Sequence, residues 1–281
     1  MPSSVRRFGW KQMLRVVFAM GWSDFTLKYR GSMLGYLWSL LFPLTKFVVI
    51  LHVFRPFVSD SIPLYPLYLF LGIVLWEHFA LTTVACMSVL VEKAQLVQKV
   101  SFPRIVLMFS VGWLHVIILS TYLLIFFAIG AWAGVPLQIG ALYVVVTIVQ
   151  ATLLGLGIGM ILSSISLKYR DVPHLWAVAL QVLFWLTPIA YPHDISGPVG
   201  SAMASFARTF QPSLWSLMDA FIRFQPLSLL LYDVRRATLY VGSLGMPSLE
   251  HTAVTTAICA AFFIAGTAVF IRRSRYFLQE Y

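Results

Sequence analysis

Polarity along this chain changes on a long scale. Apolar runs of twenty or more residues are separated by short basic segments. About 20 residues at 1.5 Å rise cover the ~30 Å core of a bilayer. The runs predict six membrane-spanning helices, at roughly 33–54, 65–88, 105–133, 140–166, 173–192 and 252–271. Before the first of them the period shortens. Trp10, Met13, Leu14, Val17, Phe18 and Gly21-Trp22 recur at i, i+3, i+4, i+7 spacing, with Lys11, Gln12 and Arg15 on the opposite face. This stretch is too polar to span, and it predicts an amphipathic helix over 10–22 lying in the membrane interface. Arg6-Arg7 ahead of it add attraction to anionic lipid. A plain surface anchor and a docking element for a cytoplasmic partner both fit the pattern. The chain thus divides into a cytoplasmic interface segment, 1–32, and a transmembrane domain, 33–281.

The entry to the first span combines Lys28-Tyr29-Arg30, a Gly31-x-x-x-Gly35 step and an aromatic-lined stripe of Tyr29, Tyr36, Leu40, Pro43 and Phe47. An ordinary anchor helix with a positive flank fits this equally. Residues 89–104 mix apolar and basic positions at helical spacing, as a short amphipathic helix or a plain loop would. Residues 193–251 form the one long stretch between spans. Gln211-Pro212 and Gln225-Pro226 each open an apolar run there that is too short to cross. Re-entrant or interfacial outer-face helices fit better than a separate domain, because polar residues are few. The expected fold class is therefore an all-α integral membrane protein.

Composition agrees: 60% of the 281 residues are hydrophobic and 11% charged, with a mean hydropathy of +0.86, outside the range of soluble domains. The net charge of +10 does not mark a nucleic-acid binder, since the cations lie between apolar runs rather than on a soluble module. Six Lys and Arg precede the first span, three lie in 89–104, two in 167–172 and three from Arg272 onward; five lie on the other side. That asymmetry places both termini in the cytoplasm. No small-residue cleavage site follows an N-terminal apolar region, so no signal peptide is expected.

Candidate chemistry is sparse. Cys86 and Cys259 both sit in apolar runs and offer no disulfide framework. The six histidines show no HxxxH or HExxH spacing, and His193-Asp194 reads as a solvated turn, so no metal is expected. Gly155-x-Gly157-x-Gly159 lacks a preceding strand and reads as helix packing. No GxxxxGK[ST] occurs, so this chain binds no ATP in a P-loop of its own. Lys46 and Glu77 are the intramembrane charges, and such charges are expensive unless paired. On these boundaries the two stand at different depths, a gap that a Lys stem only partly bridges.

Four ordered motifs then carry a resemblance. Lys28-Tyr29-Arg30-Gly31-Ser32 with Leu34-Gly35, Trp38 and Pro43 is followed by Phe102-Pro103-Arg104. Tyr169-Arg170-Asp171-Val172 comes next, then Thr187-Pro188-Ile189 with Tyr191-Pro192. Together they resemble ABC transporter type-2 permeases, closest to bacterial exporters of O-antigen and related surface polysaccharides, with teichoic-acid and capsule exporters nearby. Gln225-Pro226-Leu227 stands where that family usually has Asn-Pro-Leu.

The resemblance implies a transport subunit rather than an enzyme, in the bacterial inner membrane. It implies a homodimer joined to two copies of a nucleotide-binding ATPase subunit that carries the ATP and Mg, with no cofactor on this chain. The implied cargo is a glycan on undecaprenyl pyrophosphate. Lys28 and Arg30 would then receive the pyrophosphate. Tyr36 and Phe47, with Trp176, Phe184, Thr187 and Tyr191, recur at helical spacing and would line a glycan conduit. Lys11, Arg15, Glu92, Lys93, Lys99 and Arg104 would meet the ATPase. An ion-coupled flippase or carrier and a membrane-bound glycosyl-transfer enzyme are the alternatives that composition leaves open.

Overall fold

Prolines and glycines punctuate the apolar runs and set where each helix starts and stops. The computed structural model describes residues 9–31, 35–58, 62–99, 102–136, 138–192 and 220–274. Arg6-Arg7, His193-Asp194 and the run after Gln211-Pro212 lie outside the described residues. Ten α-helices are described: α1 (Trp10–Tyr29), α2 (Leu37–Val58), α3 (Tyr65–Glu92), α4 (Ala94–Lys99), α5 (Ile105–Trp132), α6 (Tyr143–Ser166), α7 (Val172–Leu186), α8 (Pro226–Thr238), α9 (Val241–Leu244) and α10 (Leu249–Ser274). A 3-10 turn, Ile139–Leu142, leads into α6. No strand occurs among the described residues.

Five stretches are long and apolar enough to cross a membrane: Leu37–Val58, Tyr65–Glu92, Ile105–Trp132, Ile139–Ser166 and Leu249–Arg273. α3 is the central post, buried along most of its length, with α2, α5, α6 and α7 around it. α6 also packs along α10, and its glycines serve two neighbours at once. A Cβ on Gly155 or Gly159 would press on Thr82 or Cys86 of α3, while one on Gly157 would come within 2.5 Å of the Phe262 backbone on α10. Close approach of this kind is what packs helices where lipid offers no hydrophobic drive.

Two expectations need correcting. The amphipathic helix does not stop at residue 22 but runs on to Tyr29. It lies against α5 through Val17 and Gly21, where Gly21 leaves room for the Trp113 ring. The fifth apolar run is helical only to Leu186, 15 residues that extend ~22 Å at 1.5 Å each. Pro188 is the cause. It disfavours helical backbone at the residue before it, and Thr187 is extended at φ −87°, ψ 134°. Residues 187–192 therefore continue as non-helical chain, buried from Thr187 to Tyr191.

A break inside an apolar bundle strands carbonyl groups. Here every carbonyl from Trp185 to Tyr191 has a donor. Tyr191 OH donates to Trp185 O at 3.0 Å, Gln225 Nε2 to Leu186 O at 3.1 Å and Ile189 N to Thr187 O at 2.7 Å. Arg235 donates Nη1 to Pro188 O at 2.6 Å and Nη2 to Ile189 O at 3.0 Å. Tyr65 OH reaches Ala190 O at 2.9 Å and Tyr68 OH reaches Tyr191 O at 2.8 Å. The same logic operates at Pro43 in α2. Proline has no N–H for the carbonyl four residues back, and Tyr122 OH takes up Ser39 O at 2.5 Å.

Candidate functional site

α2 and α7 flank α3 and meet each other only lightly, so the face they share is where charge and aromatic rings gather. α3 supplies Phe70, Trp76, Glu77 and Phe79 between them. Phe47 of α2 packs edge-on to Phe70, centroids 5.4 Å apart. Phe184 of α7 lies 5.5 Å from Trp76, and Trp176 lies 6.4 Å from Phe79 while its Nε1 donates to Thr83 Oγ1 at 2.9 Å. Edge-to-face geometry is what the ring quadrupoles favour. Lys46 joins the two walls. Its Nζ is 3.0 Å from Glu77 Oε1 and 4.0 Å from the centre of the Phe184 ring.

That pairing revises the depth argument. α2 continues to Val58 instead of stopping near 54, so Lys46 and Glu77 each stand twelve residues from their end of the connecting loop. Equal distance from one turn gives equal depth. The pair satisfies a cation and a carboxylate that neither helix could hold alone in lipid.

Tyr36 sits apart from the other ring positions, at the corner between α1 and α2. Its ring lies 5.3 Å from Phe25 and 5.1 Å from Tyr29. Lys28 is exposed on the last turn of α1 and Arg30 is exposed just beyond it, so both cations flank this corner. Along α2 and α7, Phe47 and Trp176 are half-buried, whereas Phe184, Thr187 and Tyr191 are buried within one copy of the chain. The sequence pattern groups all six together. The structure puts Thr187 and Tyr191 in the non-helical segment, behind the rings.

The charged residues at the α1–α4 end separate into three kinds. Lys11, Arg15, Glu92 and Lys99 are exposed. Lys93 is held in an ion pair with Asp24 of α1, tying the amphipathic helix to the end of α3. Arg104, half-buried just before α5, has its pKa lowered from the ordinary arginine value by that burial. No group of three or more His, Cys, Asp or Glu side chains that could hold a metal occurs among the described residues.

Several residues in this region were not singled out in the sequence. Trp76 and Phe79 are hidden in the most continuous apolar run. Arg235 reads as a solvated loop cation but is 3% exposed, because α8 is buried against α3, α6 and α10 rather than lying on a surface. The signal was present in Leu227–Leu231, where four of five residues are leucine.

Residues 15–206 match the family of ABC-2 type transporters. The O-antigen export system permease protein RfbA of Myxococcus xanthus is 32% identical over 169 residues, covering 59% of this chain and 64% of that protein. Two proteins of the same name from Klebsiella pneumoniae are 29% and 27% identical over 182 residues, each covering 61% of this chain and 67% of the relative. The match to the Myxococcus protein thus spans just under two thirds of that relative's length.

Proposed function

This chain belongs to the ABC-2 type transporter family, and from that premise we propose that it is the permease subunit of an ATP-driven exporter of surface polysaccharide. In this reading it pairs with a second copy and with two ATPase subunits that hold ATP and Mg. It moves a polysaccharide on undecaprenyl pyrophosphate outward across the bacterial inner membrane, with both of its termini inside. α7 and the segment 187–192 together make the fifth of six crossings, and α8 is a re-entrant helix of the outer face. The observation that carries the reading is the match over 15–206, whose relatives bear the name O-antigen export system permease.

The geometry supports a division of work. Lys28 and Arg30 stand exposed beside Tyr36, where a pyrophosphate would be received; the guanidinium suits bidentate phosphate contacts. Trp38, Phe42, Val49 and Val53 on α2 and Val178, Val182 and Trp185 on α7 are exposed, and a second copy would cover them. Phe47 and Trp176 then face the conduit, with Phe184, Thr187 and Tyr191 forming the layer behind, uncovered as α2 and α7 part. Lys11, Arg15, Glu92, Lys99 and Arg104 meet the ATPase directly, and Lys93 acts through Asp24.

Reconstitution tests this. The chain, with its partner ATPase subunit, is placed in vesicles loaded with lipid-linked glycan. ATP-dependent transfer to the opposite leaflet is expected. Transfer that survives a disabled ATPase and collapses with the proton gradient would instead identify an ion-coupled carrier. Glycan chemistry performed by the isolated chain would identify a transferase.

A further inference from the structure

A second cleft lies at the opposite end of the bundle from α1, bounded by the α2–α3 connection, the end of the non-helical segment and α8–α9. Its volume is about 280 Å³, near the lower end of the ~300–1,000 Å³ of small-ligand pockets, and suited to one ring-sized group. Tyr68, Tyr232, Tyr240, Arg235 and Arg236 line it, with Pro63 at its rim.

The charge balance of this cleft is one-sided. Arg235 is buried, with its guanidinium carbon 3.4 Å from the centre of the Tyr68 ring. Its Nη atoms reach three carbonyls, those of Pro188, Ile189 and Tyr68. Its Nε has no partner, and no carboxylate pairs with it, among the described residues. The carboxylate two positions away, Asp233, is turned to His251 and Thr255 instead. Arg236 donates Nε and Nη2 to Leu244 O and Gly245 O, and it too meets no acid among the described residues. Carbonyl dipoles and a ring face offset a buried cation only in part. No acidic residue lines the cleft among the described residues, and burial raises the pKa of the Tyr240 phenol from its ordinary value, keeping it neutral.

Positive charge with no counter-ion among the described residues, beside tyrosine faces, matches a ligand with an anionic group and a ring carrying C–H bonds on one face. We propose that this cleft binds an acidic sugar unit of the glycan, such as a hexuronate, as it leaves the transporter. The proposal rests on the export reading and adds a specific exit site to it. Tyr240, whose hydroxyl is anchored to Pro63 O at 2.7 Å, holds one stacking face in place. Arg236 supplies the guanidinium at the partly exposed side, and Arg235 supplies the field from beneath.

The test uses the full chain in phosphatidylcholine nanodiscs, titrated calorimetrically with a glucuronate-containing disaccharide, with neutral cellobiose, and with inorganic pyrophosphate. The expected result is saturable binding of the acidic disaccharide at least tenfold tighter than cellobiose. Tyr240→Ala and Arg236→Gln should each weaken it tenfold or more. Tyr240→Phe, which keeps the ring but not its anchor, should weaken binding less than Tyr240→Ala, and Arg236→Lys less than Arg236→Gln. Absence of saturable binding, equal binding of cellobiose, or indifference to Tyr240→Ala and Arg236→Gln would overturn the proposal. So would pyrophosphate binding that is tighter than the disaccharide and lost with Arg236→Gln, which marks a bare-anion site in this cleft. Binding is read on purified protein, so its failure is separable from a failure of export in cells.

Discussion

Lys46 Nζ and Glu77 Oε1 lie 3.0 Å apart, midway along two apolar helices joined by a short loop. Their side chains are 28% and 7% exposed, so removing one partner strands the other in a poorly solvated place. Breaking a buried pair costs about 3–5 kcal/mol, while replacing both members with apolar residues is often neutral. With Lys46 partly exposed, the lower end applies. Lys46→Ala or Glu77→Gln should each lower the melting temperature of the detergent-solubilised protein by an amount matching about 3 kcal/mol. Lys46→Met with Glu77→Leu should recover most of it. Additive losses in the double variant would show that the two charges are energetically independent.

Arg235 carries a heavier role than its neighbour Arg236, because it closes the carbonyl accounts of the broken crossing. Arg235→Ala would leave the Ile189 carbonyl buried without a donor and the Pro188 carbonyl with only the long 3.5 Å bond from Tyr68 OH, at up to about 1–3 kcal/mol each. Little folded protein should accumulate in the membrane. Tyr68→Phe keeps the ring beneath the guanidinium and loses the bond to Tyr191 O at 2.8 Å together with the long one to Pro188 O at 3.5 Å, so a loss of about 1–2 kcal/mol is expected. Comparable thermal stability of Arg235→Ala and the parent would refute the capping role.

These two cases show where sequence reading succeeds and where it stops. Hydropathy located α2, α3, α5, α6 and α10 because lipid solvates each of them nearly independently, so local composition decides. It overran α7 because a hydropathy window gives Thr187-Pro188 no special weight, although the proline rule alone argues for a break. Arg235 was missed for the opposite reason. A cation in a long connecting stretch looks solvated, and only the packing of α8 against three helices reveals that it is not. Lys46 and Glu77 were both noticed, and a four-residue error in the end of α2 was enough to separate them in depth.

Helix contact through glycine gives a sharper contrast. A Cβ at Gly266 would overlap the carbonyl oxygen of Gly157, whereas one at Gly242 meets nothing within 4 Å. Gly266→Ala should therefore force α6 and α10 apart. It should reduce the monodisperse fraction in size-exclusion chromatography several-fold, with Gly242→Ala indistinguishable from the parent. Equal behaviour of the two variants would mean that the α6–α10 contact adjusts freely.

The ion pair between Lys93 and Asp24 separates Lys93 from Lys99, which share a sequence segment. Lys93→Glu should impair glycan export by placing two carboxylates together, and Asp24→Lys in the same chain should restore much of it. Lys99→Glu should impair export with no rescue from Asp24→Lys, since Lys99 is exposed and its proposed partner is the ATPase. Rescue of both by Asp24→Lys would dissolve the distinction.

The conduit assignment can be separated from its entrance. At equal membrane levels, Arg30→Ala should reduce surface glycan by removing a phosphate contact, and Tyr36→Ala with Phe184→Ala should reduce it by removing ring faces. Undiminished export in both would sink the assignment. Loss with Arg30→Ala alone would keep the entrance and discard the aromatic walls.

The central claim is that this chain moves a lipid-linked glycan outward, and the most direct test is to deplete it and locate that glycan. Cells are depleted of this chain, and the carrier-linked polysaccharide is quantified inside spheroplasts and on the cell surface. The account predicts loss of surface polysaccharide with accumulation of full-length carrier-linked chains on the cytoplasmic face, reversed by re-expression. Unchanged surface polysaccharide with no internal accumulation would contradict it.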